Sequence, residues 1–238
     1  MANINSLDLE LGSSQQLEIT DAAQTGLDIT GDLTIECWIK PESTTAEHTF
    51  VGKWEDGTGD YRCYLFRYVH GVTQLQFAVS SDGTTGNTTS GVVTYAISAG
   101  TWYHVAAVYD ASAGEVDFYV NGAHQGSTAT GMKTSIADTG AVVGIGCKNA
   151  TGTPTHFYDG LIDEVRIWAE ERSAANILAN YKKELTGSET NLKAYWKLNG
   201  NYLDQTANNN DLTAINTPVF STDVPFNDMG GSFLLNFV

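Results

Sequence analysis

Basic residues are scarce: 12 lysines and arginines stand against 28 acids and leave a formal charge of −16. Such a field repels phosphate, which excludes general nucleic-acid binding and attraction to anionic membranes. The same surplus of carboxylates suits calcium or simple solubility. Proline is also scarce, with 4 residues, and no Pro- or Ser-rich linker divides the chain. The three cysteines, Cys37, Cys63 and Cys147, lack Cys-x-x-Cys spacing, so neither a zinc site nor a redox pair is indicated. Each lies in an apolar or glycine-bordered run and reads as a buried free thiol, with one disulfide plus a spare as the alternative. No apolar run approaches the ~20 residues of a membrane span. The opening residues 1–14 carry neither a basic n-region nor an apolar h-region, so no signal peptide is visible.

What is present is a 238-residue chain, 42% hydrophobic and able to bury a substantial core. Period-two alternation dominates it. Ile35, Cys37 and Ile39 share one face of a strand, whereas Trp102–Tyr109 is apolar on both faces, as in a central strand. The run from Val116 to Val120 ends at Asn121-Gly122, a strong hairpin signal. Further strands read at Leu7–Leu11, Gln16–Ile19, Arg62–Tyr68, Gln74–Ser80, Ala141–Gly146, Leu161–Trp168 and Leu192–Leu198. One segment has helical spacing: Ser173 as N-cap with Ala174, Ala175, Ile177 and Leu178 predicts a short helix near 173–183. Many strands, one short helix and no αβ alternation predict an all-β antiparallel sandwich, a jelly roll.

Four segments carry a resemblance in their order and spacing: LTIECWIK (Leu33–Lys40), TWYHVAAVYD (Thr101–Asp110), FYVNG (Phe118–Gly122) and GLIDEVRIW (Gly160–Trp168). Together they resemble a laminin-G-like, concanavalin A-type jelly roll of the kind shared with pentraxins, across roughly residues 5–200. The resemblance is specific for the fold and not for a ligand. Leu192–Gly200 is similar to a stretch that in the family borders a neighbouring unit; too little chain follows here, so it is expected to fold back as extra strands. The expected organisation is a single domain over 1–225 with an apolar tail at 226–238. The end, Gly230–Val238, reads as a final edge strand or as a tail docking on a neighbouring subunit.

Catalytic relatives of this fold, the family 16 glycoside hydrolases, hold an E-x-D-x-x-E cluster on one strand, since retaining hydrolysis needs two carboxyls about 5–5.5 Å apart. The partial match is Glu115-Val116-Asp117-Phe118-Tyr119-Val120, which lacks the third carboxylate and ends at a hairpin. Asp163 and Glu164 are adjacent and alternation sends them to opposite faces. The histidines show no metal-ligand spacing, and His104 reads as a hydrogen-bonded core residue. The sequence argues against catalysis.

Alternation puts Asp163 on the face of Leu161, Val165 and Ile167, where an ionised carboxylate must be paired, hydrogen-bonded or metal-bound. The resemblance implies that Asp163 helps hold a structural calcium with backbone carbonyls near the N-terminus, from about Glu10 to Gly12, although Leu11 departs from the family's Asp-Gly pattern. The alternatives are a cap for turn amides or an arginine pair. The loop Trp54–Tyr61 combines aromatic Trp54 and Tyr61 with Asp56 and Asp60, so it reads as a glycan or calcium rim. Asp82, in Ser81–Thr84, and His156 and Tyr158, in Thr155–Asp159, offer similar rims. Lys53 and Arg62 flank the first loop with charge suited to an acidic sugar.

The leading expectation is a non-catalytic recognition module for glycans or cell surfaces, with calcium as its ion. The alternative is a structural component of a virion, phage tail or cell surface that assembles, as a homo-oligomer or on a particle protein, through sandwich edges and the C-terminal tail. Both place it at an extracellular surface or on a particle rather than in a cytoplasmic role.

Overall fold

Strands with one apolar side gain most by hiding it against a second sheet, and the chain does so twice over. The computed structural model describes residues 3–57, 59, 61–148 and 153–226. The larger sheet runs, in spatial order, β10 (Ala123–Thr130), β9 (Glu115–Val120), β8 (Tyr103–Asp110), β3 (Leu33–Pro41), β12 (Gly160–Trp168), β1 (Ser6–Leu9) and β15 (Val219–Ser221). Its remaining strand, β13 (Leu192–Trp196), also pairs with β12. The smaller sheet runs β14 (Thr213–Ile215), β2 (Gln16–Ile19), β11 (Val143–Ile145), β4 (His48–Glu55), β5 (Tyr61–Val69), β6 (Gln74–Ser80) and β7 (Thr88–Thr94). The predicted antiparallel sandwich is the observed architecture.

The core lies between the sheets. Ile35, Cys37 and Ile39 of β3, Val105 and Ala107 of β8 and Phe118 of β9 meet Tyr64, Phe66, Phe77 and Val79 of β5 and β6. The rings of Phe66 and Phe118 span the gap with centroids 6.4 Å apart. All three cysteines are free and buried, and burial pushes their thiols up, leaving them unreactive. The β9–β10 hairpin turns at Asn121 (φ 51°) and Gly122 (φ 79°), the doubly left-handed geometry that Asn-Gly favours.

The helix α1 (Ala174–Asn180) starts where predicted, with Ser173 Oγ accepting from Asn176 N–H. Its buried Ile177 sits on Ala106, Val108 and Tyr119, on the outer face of the larger sheet. Trp38 Nε1 donates to the Tyr181 carbonyl (2.7 Å), so the segment after α1 is fastened to the same face. The larger sheet is thereby covered on both sides.

The chain beyond α1 returns to the sandwich: β13 joins β12, β14 joins β2 and β15 joins β1. Trp196 of β13 is fully buried and its Nε1 donates to the Asn210 carbonyl (2.7 Å). Asp204 knots the connecting loop, accepting from the Tyr195 and Thr206 amides.

Three expectations are corrected. Between Asp163 and Arg166 the register of β12 slips, and Glu164 adopts φ 52°. This bulge puts Ile162, Val165 and Ile167 in the core, while Asp163 shares the outer side with Trp38. Glu164 reaches that side too, where its Oε2 accepts from Arg166 and Tyr195 (both 2.6 Å), so the adjacent carboxylates do not part to opposite faces. The strand expected over Leu7–Leu11 stops at Leu9 and gives way to a 3₁₀ turn at Leu11–Ser13. The tail residues Gly230–Val238 lie outside the described residues.

A buried polar layer occupies the outer side of the larger sheet. Glu36 accepts from Trp168 Nε1 (2.9 Å) and contacts His104 Nε2 (3.1 Å). Arg166 lies between Glu36 and Glu164 and donates to the carbonyls of Asn180 and Lys183. Asp163 accepts from Asn3 Nδ2 (2.7 Å) and from the Glu164 amide. Burial, and then its neighbour Glu164, push Asp163 well above the usual carboxylate range.

Candidate functional site

With the larger sheet covered by α1, the outer face of the smaller sheet is the one on which chemistry-bearing side chains collect. Along β5, Phe66 and Tyr68 point to the core and Leu65 and Arg67 point out. Leu65 joins Trp54 and Ala78 in a small apolar cluster outside the main core. Gly52 lies beneath it, where a Cβ would come within 2.8 Å of Leu65 Cδ1. A register slip between Lys53 and Trp54 sets Arg62 directly opposite Trp54, and so on the same face.

Two carboxylates stand over this floor. Asp56 accepts from Trp54 Nε1 (2.9 Å) and Arg62 Nε (3.0 Å) and is ion-paired with Lys148. Burial alone would raise it, but the Lys148 and Trp54 hydrogen bonds and Arg62 overcome this and hold it below its ordinary range. Glu47 pairs with Arg67 (2.6 Å) and His156 (3.0 Å). Arg67 also donates to Gln76, which reaches Ser90 on the next strand. His156 senses Glu47, Lys148, Arg67 and Asp56 and therefore lies between the two clusters; burial and the nearby cations keep it below the usual histidine value.

Three of the loops read as rims do converge here. Arg62 couples Asp56 to the Gly83 carbonyl of the β6–β7 turn (3.4 Å), and His156 links the 155–159 segment to Glu47. The roles differ from expectation. Trp54 is only 5% exposed and serves as floor, not as a stacking platform. Tyr158 is fully buried against Phe50 and His48. Asp82 is exposed but occupied by its own turn, accepting from Thr84 and Asn87. Tyr61 is 40% exposed, but as the strand neighbour of Arg62 it points away from the face that carries Trp54 and Arg62. Asp60 lies outside the described residues. Lys53 is buried between Asp21 and Asp28, away from the rim. Glu47, Gln76 and Lys148 were not singled out from the sequence. Arg67 follows from the alternation of Leu65 and Arg67 with Phe66 and Tyr68 on β5, whereas Glu47 and Lys148 reach the face only through tertiary placement.

A second cluster lies at the β1 end of the larger sheet. Oxygens of Asp8, Glu10 and Glu42 lie within 4.8 Å of one another. Asp8 Oδ1 is buried and, among the described residues, has no partner. Asp159 stands beside them, its Oδ1 accepting from the Leu11 amide (3.1 Å). Burial and then mutual repulsion raise both Asp8 and Glu42. A hard, oxygen-only set with an orphaned acceptor fits a calcium ion. Of the predicted ligands, Glu10 belongs to this cluster through its side chain, since its carbonyl accepts from the Ser13 and Gln15 amides. Gly12 sits in the exposed turn that follows. Asp163 is placed elsewhere: the Leu7–Ile162 pair sets it level with the start of β1, about 13 Å along the strand from Glu10.

The carboxylates of the partial hydrolase match do not form a pair. Asp117 accepts from His124 (2.9 Å) and Thr128 (2.6 Å) across the β9–β10 hairpin, while Glu115 stands at its base opposite Thr130. Among the described residues no helix is long and apolar enough to cross a membrane.

The chain matches the family model of the concanavalin A-like lectin/glucanases superfamily over residues 11–178. No curated protein sequence matches it. Among solved structures it resembles a Bacteroides ovatus protein assigned as a carbohydrate binder, at 19% identity and a TM-score of 0.71. That match covers 95% of this chain but only 62% of the Bacteroides protein. A heptameric SAP-like pentraxin from Limulus polyphemus gives 14% identity, a TM-score of 0.63 and coverage of 92% and 95%. The CBM40 of a Ruminococcus gnavus sialidase, bound to α2,3-sialyllactose, gives 14% identity and a TM-score of 0.52, covering 69% of this chain and 96% of the module. At these identities the likeness is one of fold.

Proposed function

Because the chain belongs to the concanavalin A-like lectin/glucanase superfamily, we propose that it is a non-catalytic module that binds carbohydrate on the outer face of its smaller sheet. The observation that carries this reading is the pair of exposed carboxylates, Glu47 and Asp56, each fixed by cations that are themselves mostly covered. Sugars offer hydroxyl donors, and an immobilised carboxylate accepts them without losing further side-chain entropy. Gln76 and Ser90 supply amide and hydroxyl groups beside Glu47 and its Arg67.

Titration of the protein with a panel of plant, microbial and host oligosaccharides tests the reading. Binding is expected to a related set of glycans. Asp56→Asn should weaken it by about 2 kcal/mol, roughly thirtyfold, the worth of a charge-assisted hydrogen bond. Failure of every glycan to bind would overturn the reading and favour assembly through the sandwich edges.

Calcium belongs to the same proposal as a structural ion rather than a ligand bridge. Asp8, Glu10, Glu42 and Asp159 would hold it, relieving the repulsion that, with burial, raises Asp8 and Glu42. With calcium at about a hundred times its Kd, the protein should gain ~2.7 kcal/mol, raising Tm by about 5–10 °C. Glu42→Gln should abolish most of that shift. An unchanged melting curve in calcium would dismiss the ion.

A further inference from the structure

The charge arrangement on the smaller sheet also selects among sugars. We infer that the site takes neutral glycans and rejects those bearing carboxylates, such as uronic or sialic acids; this rests on the carbohydrate-binding reading above. Three of the chain's scarce cations lie here, Arg62, Arg67 and Lys148, and their number alone would suggest a site for anions. Their exposure says otherwise. The side chains of Arg62, Lys148 and Arg67 are 7%, 12% and 17% exposed, whereas those of Asp56 and Glu47 are 39% and 34% exposed.

Each cation is turned inward and engaged. Arg62 is shared between Asp56 and the Gly83 carbonyl, Arg67 between Glu47 and Gln76, and Lys148 lies on Asp56. What a ligand meets first is therefore a pair of oriented carboxylates, on a protein whose formal charge is already −16. A ligand carboxylate could reach the guanidinium groups only by displacing Asp56 or Glu47 from partners they contact at 3.0 and 2.6 Å. Hydroxyl groups need no displacement at Glu47, whose cation and His156 both sit on Oε2, since a carboxylate offers about four lone-pair positions and can accept from a sugar while keeping its cation. His156 has Nε2 on Glu47 and Nδ1 on Thr155, so both of its ring nitrogens are already engaged.

Matched ligands test this. The tightest neutral oligosaccharide found in the panel is titrated beside its own carboxylated counterpart, for example a galactoside and its sialylated form, at low and at high salt. The neutral ligand is expected to bind at least about tenfold more tightly at low ionic strength, with the gap narrowing as salt screens the repulsion. The double variant Glu47→Gln/Asp56→Asn should weaken the neutral ligand and narrow the same gap. Equal or tighter binding of the carboxylated sugar, or a gap indifferent to salt, overturns the selectivity while leaving carbohydrate binding in place. Binding of neither class removes both.

Discussion

Replacing Arg166 with methionine is expected to lower the stability of the protein by about 3–5 kcal/mol, measured by urea unfolding at neutral pH. The side chain is fully buried and lies between two fully buried carboxylates, at 2.6 Å from Glu164 and 3.6 Å from Glu36. It also donates to the carbonyls of Asn180, at the end of α1, and of Lys183, just beyond it, so one residue neutralises the layer and fastens its cover. Methionine fills most of the volume but leaves the acids without their counter-charge. The loss should depend on pH. In the intact protein burial alone would raise Glu36, but the His104 hydrogen bond and Arg166 overcome it and hold the group at about 2, against an ordinary value of 4.5. A depressed carboxylate contributes fully above its unfolded value and loses that contribution as pH falls towards its folded one. Wild type and variant should therefore converge between about pH 4.5 and 2. A triple variant, Glu36→Gln/Glu164→Gln/Arg166→Met, should recover much of the deficit, because it removes the stranded charges together with their partner. If Arg166→Met alone costs less than about 1 kcal/mol, the layer is wetter than its burial indicates.

Trp196→Ala should cost a similar ~3–5 kcal/mol, and ending the chain after Lys183 should prevent cooperative folding altogether. The indole is completely enclosed, and removing it both opens a cavity and orphans the Asn210 carbonyl that it satisfies. The truncation goes further. It strips β13 from the second half of β12, β14 from β2 and β15 from β1, uncovering strand edges on both sheets at once. The shortened chain is expected to bind a hydrophobic dye and to lose its sharp thermal transition. A sharp transition retained at an unchanged Tm would mean that residues 184–226 decorate the sandwich instead of completing it.

Much of the fold was legible because burial on one side imposes alternation. The strands Gln16–Ile19 and Gln74–Ser80 fall where the pattern puts them, and Asn121-Gly122 turns as its chemistry demands. The edge strand Ala123–Thr130 was missed: its residues are mostly exposed and polar, so no face of it is marked. Bulges were equally invisible. One extra residue at Glu164 reverses the facing of everything beyond it, and no local composition announces it. The site was legible in its loops but not in its roles. Trp54 and Asp60–Tyr61 look alike as aromatic-acidic loop chemistry, and only the packing of Leu65 and Ala78 against the indole makes Trp54 a floor. The acidic cluster draws Asp8, Glu10 and Glu42 from segments that only the sheet brings together.

The seating of β1 between β12 and β15 has a kinetic consequence. Both ladder partners of that short strand are chain made much later: Leu7 meets Ile162 and Phe220, and Asn5, just before it, bonds to Ser221 across a separation of 216 residues. Local hairpins such as β8–β9 and β5–β6 can close early, since their loops are short and their entropy cost small. The first strand must wait until the last ones have been synthesised and have found their places. High contact order of this kind puts folding in the range of about milliseconds to seconds. On the ribosome β1 therefore waits for its ladder partners until residues 160–162 and 219–221 have been made. The acidic residues Asp8 and Glu10 keep that waiting strand soluble and discourage it from pairing with another copy.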